Sequence, residues 1–100
     1  MPKRYSIHPQ ARADIQGITR TISADNPAAA KKMKAAMMEA CEKLGEHPQM
    51  GQERDDLTSK AVRFWPVHRS YMIIYNANTS PVQILRVYNN AQHIGSILPQ

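Results

Sequence analysis

Side chains that can exchange protons or bind phosphate recur in the second half of the chain. They are Arg63, His68, Arg69, Arg86, Tyr88 and His93. Cleavage of RNA without a metal ion requires a base for the 2′-hydroxyl group, an acid for the leaving oxygen and cations for the phosphate. The set therefore predicts a nuclease site if the fold brings its members together. A histidine in a basic neighbourhood is more often a surface residue than a general acid, so both interpretations of His68 stay open.

Arg86 and Trp65 each allow two interpretations. Arg86 interrupts an otherwise apolar segment, and on a half-exposed sheet it would stand in a row with Ile84 and Tyr88, available to a partner. Alternatively, it forms a cross-strand pair with a carboxylate. Trp65 is either a core anchor or an exposed contact residue. Its size favours the core, because aromatic side chains supply much of the core area in small domains.

Other site signatures are absent from the sequence. It contains no Gly-rich phosphate loop, no His-x-x-x-His pair and no Ser/His/Asp set that sequence can group. Cys41 is the only cysteine, so neither an intramolecular disulfide nor a four-cysteine zinc site can form. It lies in a helical pattern beside Ala40 and Leu44, which predicts a buried, unreactive thiol. We therefore expect no metal and no cofactor.

The composition describes one small basic domain. The chain has 100 residues, which allows a single domain over residues 1–100. Its 13 Lys and Arg residues against 8 Asp and Glu residues give a net charge of +5. Such an excess suits an acidic partner: a nucleic acid, an acidic protein segment or an anionic surface. Residues 1–20 carry charges throughout, so we expect no membrane segment and a cytoplasmic location.

Two helices are predicted in the first half. The first begins at Pro9, and its apolar stripe contains Ala11, Ile15, Ile18 and Ile22. Asn26 is a natural N-cap for a second helix that begins at Pro27. This helix runs to about Gly45, which is expected to end it in a left-handed conformation. Its buried stripe contains Met33, Met37, Ala40, Cys41 and Leu44. The short connection predicts an antiparallel helical hairpin.

Four strands complete the pattern. A short strand covers residues 4–7, and three more follow at 62–65, where Pro66 is expected to end the strand, at 70–75 and at 82–88. The order is β-α-α-β-β-β, an α+β arrangement. The first strand cannot bury its apolar side chains alone, so it must join the later strands. We expect the helical hairpin to pack on one face of a small twisted, mostly antiparallel sheet.

An ordered set of short motifs runs through nearly the whole chain. It comprises Tyr5-x-Ile7-x-Pro9-x-Ala11-x-x-Asp14-Ile15, Leu44-x-x-x-Pro48-x-x-Gly51, Leu57, Arg63, Tyr71-x-Ile73-Ile74-Tyr75 and Ile84-Leu85-Arg86-Val87. In this order and spacing, the set resembles the ParE/RelE superfamily of toxins from type II toxin–antitoxin systems. The Pro…Gly loop and the Ile-Leu-Arg-Val strand resemble the ParE-like branch more closely.

The resemblance implies a target that depends on the branch. RelE-like toxins cut mRNA in the ribosome with arginines on the sheet and after its last strand. This chain has Met72 at the strand position and Asn89-Asn90-Ala91-Gln92-His93 in place of the usual Gly/His-Arg pair. We therefore expect a ParE-like, non-catalytic inhibitor that binds DNA gyrase. The alternatives are a ribosome-dependent mRNA endonuclease and a degenerate, non-toxic member, since the tail also departs from the ParE pattern.

The resemblance also implies two binding surfaces. For the target, the expected contacts are Arg63, Trp65, His68, Arg69, Arg86 and Tyr88. A cognate antitoxin, whose extended and often acidic segment wraps such toxins, is expected in the groove beside the helical hairpin and on the sheet edges. Its expected contacts are Ile15, Ile18, Met37 and Met38. A homodimer and a hetero-oligomer with the antitoxin are both compatible with these surfaces.

Overall fold

Two helices lie across one face of a five-stranded sheet in a computed structural model that describes residues 4–68 and 70–90. The elements are β1 (Tyr5–Ile7), α1 (Pro9–Asp25), α2 (Pro27–Glu46), β2 (Gln52–Glu53), β3 (Arg63–Val67), β4 (Tyr71–Asn76) and β5 (Val82–Asn89). The strand order is β1-β5-β4-β3-β2, with every neighbouring pair antiparallel except β1 and β5. The α+β prediction is confirmed.

The first strand joins the last one, as the sequence required. β1 pairs in parallel with β5 through the register Tyr5↔Val82 to Ile7↔Ile84. Immediately afterwards, the His8 amide donates to the Ile84 carbonyl at 2.8 Å, and the chain turns into α1. A three-residue strand has too little surface to be stable alone, so its partner fixes where the first helix starts.

Asn26 caps both helices, because it ends the first and begins the second. Its backbone N–H donates to the Ile22 carbonyl at 2.8 Å and so closes α1. Its side-chain oxygen accepts from the Ala29 amide at 3.1 Å and so opens α2. Because one residue satisfies orphan groups at both helix ends, the chain reverses at once and the hairpin is antiparallel.

The role predicted for Gly45 is wrong. α2 continues through Glu46, and Gly45 lies inside the last turn without a positive φ. A Cβ on Gly45 would lie 3.0 Å from backbone and side-chain atoms of Arg4. Glycine is therefore suited to this position because the chain entering β1 passes close to α2, not because the helix ends there.

Two details of the sheet also differ from expectation. β3 does not end at Pro66 but continues to Val67, with Pro66 opposite Met72 of β4. β2 covers β3 only at residues 63 and 64, so Pro66 lies where that side of β3 has no paired strand among the described residues. A proline, which has no N–H to donate, is tolerated at such an edge. The two-residue β2 itself carried no sequence signal.

A β-bulge divides the residues of β5 between the two sheet faces. Tyr75 pairs with Ile84 while Ile74 pairs with Arg86, so β5 has one extra residue at this point. The bulge places Ile84 in the core under the helices and Tyr88 in a cluster on the opposite face. The predicted row of Ile84, Arg86 and Tyr88 on one face is therefore wrong.

Each face of the sheet carries its own apolar cluster. The main core lies between the sheet and the helices, and its fully buried members include Ala11, Met37, Cys41, Leu44, Ile73, Tyr75 and Ile84. A second cluster on the other face contains Val62, Phe64, Ile74 and Tyr88. Leu57, Met72 and Leu85 pack against it. The second face is thus more apolar than a half-exposed sheet requires.

The Tyr75 hydroxyl ties the loop after α2 to the sheet. This fully buried side chain accepts from the Gly51 amide and donates to the Pro48 carbonyl, both at 2.8 Å. Arg63 donates to the Gly51 carbonyl at 2.7 Å from the same side. A Cβ on residue 51 would lie 2.5 Å from the Tyr75 oxygen, so only glycine fits there without rearrangement. The Pro…Gly spacing in the sequence therefore has a packing cause.

The substitution Tyr75→Phe tests this tie. It keeps the ring but leaves the buried Gly51 amide without an acceptor, so we expect a loss of about 1–3 kcal/mol of unfolding free energy. Tyr71→Phe is the matched control, because Tyr71 is half-buried and its hydroxyl forms no hydrogen bond among residues 4–68 and 70–90. Urea denaturation measures both variants. Equal stabilities of the two would contradict the role of the hydroxyl.

Candidate functional site

The residues predicted to contact the target do not share one surface. Arg63 and Trp65 lie on the helix side of β3, and His68 lies in the turn after β3. Tyr88 lies on β5 in the second cluster, and Arg86 lies on the same strand with its guanidinium bound to Asp14 of α1. Arg69 lies outside the described residues, so its role stays a prediction, as does that of the predicted nuclease candidate His93.

Arg63 is engaged by the loop at residues 48–51. Besides its bond to the Gly51 carbonyl, it donates to the Gln49 side chain at 2.6 Å and lies 3.6 Å from the Glu53 carboxylate. Its side chain is 23% exposed. A guanidinium with three partners is suited to fixing a loop in place. It has little freedom to move with a reacting phosphate.

Arg86 forms a bidentate ion pair across the helix–sheet interface. Its Nε and Nη2 atoms donate to the two Asp14 oxygens at 2.7 and 3.0 Å. One of these oxygens also accepts from the Val87 amide at 3.0 Å. Hydrogen bonding to the Asp14 carboxylate raises the pKa of Arg86 above its ordinary value. The structure favours the ion-pair interpretation of Arg86, with the partner on α1 and not on a neighbouring strand.

Removal of the Asp14 carboxylate is expected to be costly. Asp14→Ala leaves a largely buried guanidinium and the Val87 amide without this acceptor, and we expect a loss of about 2–4 kcal/mol of unfolding free energy. Glu39→Ala is the control, because the Glu39–Lys43 pair at 3.3 Å is exposed and its loss should cost at most about 0.5 kcal/mol. Chemical denaturation measures both. Similar small losses would show that the Asp14 contacts contribute little.

Tyr88 is buried and is not available to a partner in this conformation. Its side chain is 6% exposed and packs with Phe64 and Ile74 in the second cluster. This burial raises the pKa of the phenol above its ordinary value. Tyr88 therefore acts as a core residue of the second face in the described fold.

Trp65 and His68 meet at a cleft between α2 and β3. The cleft has a volume of about 210 Å³ and is lined by Ala36, Glu39, Ala40, Lys43, Trp65, Pro66, Val67 and His68. Trp65 packs against the main core but remains half-exposed at its edge. Trp65 is therefore both a core anchor and an accessible contact residue, the two roles that the sequence left as alternatives. This α2–β3 cleft presents an aromatic surface bordered by charged groups.

His68 has the backbone conformation that favours glycine. Its φ is 54°, and it is the one non-glycine residue with a positive φ in the described part of the chain. For a residue with a Cβ, this conformation costs about 1–2 kcal/mol. Such strain is found most often at functional sites, where the surrounding structure maintains it. The exposed imidazole is thus presented at the mouth of the α2–β3 cleft by a strained turn.

The residues predicted to contact an antitoxin divide into buried and accessible pairs. Ile15 and Met37 are 5% and 0% exposed and belong to the main core. Ile18 and Met38 are half-buried at its border. Only the second pair offers apolar surface to a partner in this conformation.

Ile18 borders a larger cleft beside α1. This α1–sheet cleft has a volume of about 400 Å³ and is lined by Ala13, Asp14, Gly17, Ile18, Thr21, Tyr71, Val87 and Asn89. A Cβ on Gly17 would meet no atom within 4 Å beyond its own stretch of helix, so the space beside this position is open. The sequence predicted a groove beside the hairpin but gave no sign that the Asp14 carboxylate forms part of its wall.

Metal and membrane sites are not apparent in residues 4–68 and 70–90. No group of three or more His, Cys, Asp or Glu side chains is placed to hold a metal ion there. Nor does that part of the chain contain a helix that is long and apolar enough to span a membrane.

Cys41 is buried in the main core and is expected to be unreactive. Burial raises the pKa of its thiol to about 11, with a smaller contribution from Glu42. At pH 8 we expect slow reaction with a thiol reagent in the native protein and rapid reaction in denaturant. Comparable native and denatured rates would mean that the core around α2 opens freely.

The same shift predicts a loss of stability at high pH. The folded-state pKa is raised, so the unfolded chain loses its proton first, near its ordinary pKa of about 8.5. The contribution of the protonated Cys41 thiol to the unfolding free energy is fully present below about pH 8.5, and it is lost as the pH rises toward 11. Unfolding free energies at pH 8 and pH 10 should therefore fall less in Cys41→Ala than in the parent chain. Identical slopes would contradict the assignment to Cys41.

Comparison with known proteins gives a consistent result. Residues 5–94 match the family described as "ParE toxin of type II toxin-antitoxin system, parDE". The fold is similar to a solved structure described as "Chromosomal ParDE TA system from P. aeruginosa", with a TM-score of 0.72 and 21% identity. The match covers 85% of this chain and 92% of that chain, and at this identity it establishes the fold alone. No curated protein matches the sequence.

Proposed function

Because the chain belongs to the ParE toxin family of type II toxin–antitoxin systems, we propose that it inhibits DNA gyrase by binding to it. The bidentate pairing of Arg86 with Asp14 is the observation that supports inhibition by binding and not by RNA cleavage. Phosphoryl-transfer chemistry needs cations directed at the reacting phosphate. Arg86 is directed at a helix carboxylate, and Arg63 at the loop of residues 48–51. Neither sheet arginine is therefore poised for RNA cleavage.

The α2–β3 cleft is the surface we assign to gyrase. Interface hot spots combine a large aromatic side chain with a surrounding rim that excludes water. Trp65 supplies the aromatic surface, while His68 and the Glu39–Lys43 pair supply a polar rim. Of the five predicted target contacts within residues 4–68 and 70–90, Trp65 and His68 are the two with accessible side chains that form no hydrogen bond or ion pair with those residues.

The α1–sheet cleft is the surface we assign to a cognate antitoxin. Ile18 provides apolar contact area there, and the open space beside Gly17 admits a chain. An extended segment suits this shape, and an acidic composition of that segment suits the net charge of +5 of the chain as a whole. Met38 on α2 offers a second, separate apolar contact. In this proposal the toxin is silent in a cytoplasmic hetero-oligomer with its antitoxin.

A supercoiling assay with antitoxin-free protein tests the proposed target. Gyrase should lose supercoiling activity or accumulate cleaved DNA, while a parallel in vitro translation reaction continues and its mRNA stays intact. Translation arrest with new mRNA ends would instead identify a ribosome-dependent endonuclease. If neither reaction changes, the chain is a non-toxic member of the family and the proposal fails.

The substitution His68→Gly tests the proposed contact surface. Glycine fits the positive φ without strain, so the variant should remain folded while it lacks the imidazole. We expect gyrase inhibition to weaken by at least about five-fold, the equivalent of one lost interface hydrogen bond. Asn78→Ala in the turn between β4 and β5 is the matched control. Unchanged inhibition by His68→Gly would remove His68 from the contact surface.

A further inference from the structure

A basic groove runs along the outer side of the helical hairpin, away from both clefts described above. It has a volume of about 420 Å³ between the second half of α1 and the first half of α2. The cations Arg20, Lys31 and Lys34 line it together with the polar residues Gln16 and Ser23. No carboxylate is part of its lining. We call this surface the hairpin groove.

The positive charges of the hairpin groove are not neutralised by the fold. None of its three cations forms an ion pair within the part of the chain that the structure describes. Lys31 and Lys34 are three residues apart on one helix, a spacing at which like charges repel. Farther along α2, Lys43 is by contrast paired with Glu39 at 3.3 Å. The groove thus retains charge that an external anion would stabilise.

The N-terminal end of α2 adds to the positive potential of the hairpin groove. α2 begins at Pro27, which also lines the groove, and the N-terminal end of a helix carries partial positive charge. Neither Gln16 nor Ser23 uses its side chain in a hydrogen bond with residues 4–68 or 70–90, so both can donate to a ligand. Three cations and two uncommitted polar groups therefore face one open space.

We propose that the hairpin groove binds the phosphate backbone of duplex DNA. Phosphates are contacted by flexible Lys and Arg side chains with Gln and Ser in support, in a polar and hydrated interface. The lining contains no aromatic side chain, so the groove offers no platform for stacking single-stranded bases. It also lacks the buried apolar pocket that anchors a peptide, which favours DNA over an acidic protein segment.

This interaction with DNA goes beyond the proposed gyrase surface and does not depend on it. The hairpin groove is formed by α1 and α2 alone, whereas the α2–β3 cleft includes β3. Contact with DNA would direct the toxin to topoisomerase that already holds its substrate. DNA binding by the purified protein is measurable without gyrase, so failure of one proposal is distinguishable from failure of the other.

The test compares two triple variants of equal net charge. In the groove variant, Arg20, Lys31 and Lys34 are each replaced by Gln. In the control, the exposed residues Arg4, Arg12 and Lys60 are replaced by Gln. Fluorescence anisotropy with a labelled DNA duplex over a range of salt concentrations measures affinity. Thermal melting of each variant establishes that these surface substitutions leave the fold intact.

We expect the groove variant to bind DNA at least about ten-fold more weakly than the parent, with a salt slope reduced by about 1 for each phosphate that is no longer bound. The control should retain most of its affinity. If both variants lost DNA affinity equally, the loss would be explained by their lower net charge alone, and the proposal would be overturned. So would a folded groove variant that keeps its affinity for DNA but no longer binds a polyglutamate peptide, because the ligand would then be an acidic protein segment.

Discussion

The Asp14 carboxylate holds the helical layer on the sheet. Its two oxygens accept three hydrogen bonds, from Arg86 and from the Val87 backbone, and the two residues of the pair are 72 positions apart in the chain. β1 covers β5 only as far as Ile84, and Asp14 contacts the strand just beyond that point. One group therefore positions α1, satisfies a backbone donor on β5, forms a wall of the α1–sheet cleft and directs Arg86 away from any external phosphate.

A second connection of the same kind fixes the other helix of the hairpin, α2, to the sheet. The Tyr75 hydroxyl and the Arg63 guanidinium bind the loop after α2, so α2 is fixed to the sheet at its end as α1 is at Asp14. Both sheet arginines thus donate to groups of the protein itself. The planar fork of arginine, with several donors in fixed directions, suits this work better than lysine would. A scaffold built in this way leaves its accessible chemistry to Trp65, His68 and the hairpin groove.

Local patterns in the sequence predicted the helices and most of the sheet. The stripe containing Ala11 and Ile15, the double cap at Asn26 and the union of β1 with the later strands all follow from periodicity, capping chemistry and burial. The bulge at Leu85, the partner of Arg86 and the packing of Gly51 against Tyr75 do not. Each depends on where distant segments meet, which no local pattern specifies. For this reason the predicted target surface divided between two sheet faces and a turn.

Arg86, in this interpretation, supports the fold and has no chemical role toward the target. The double variant Asp14→Asn, Arg86→Met separates the two roles, because Asn retains an acceptor for the Val87 amide while Met replaces the charge with apolar volume. Exchange of a buried ion pair for uncharged residues of similar size is often tolerated. We predict that a folded double variant inhibits gyrase supercoiling as strongly as the parent protein. A folded variant that no longer inhibits gyrase would contradict this interpretation and make Arg86 a functional residue.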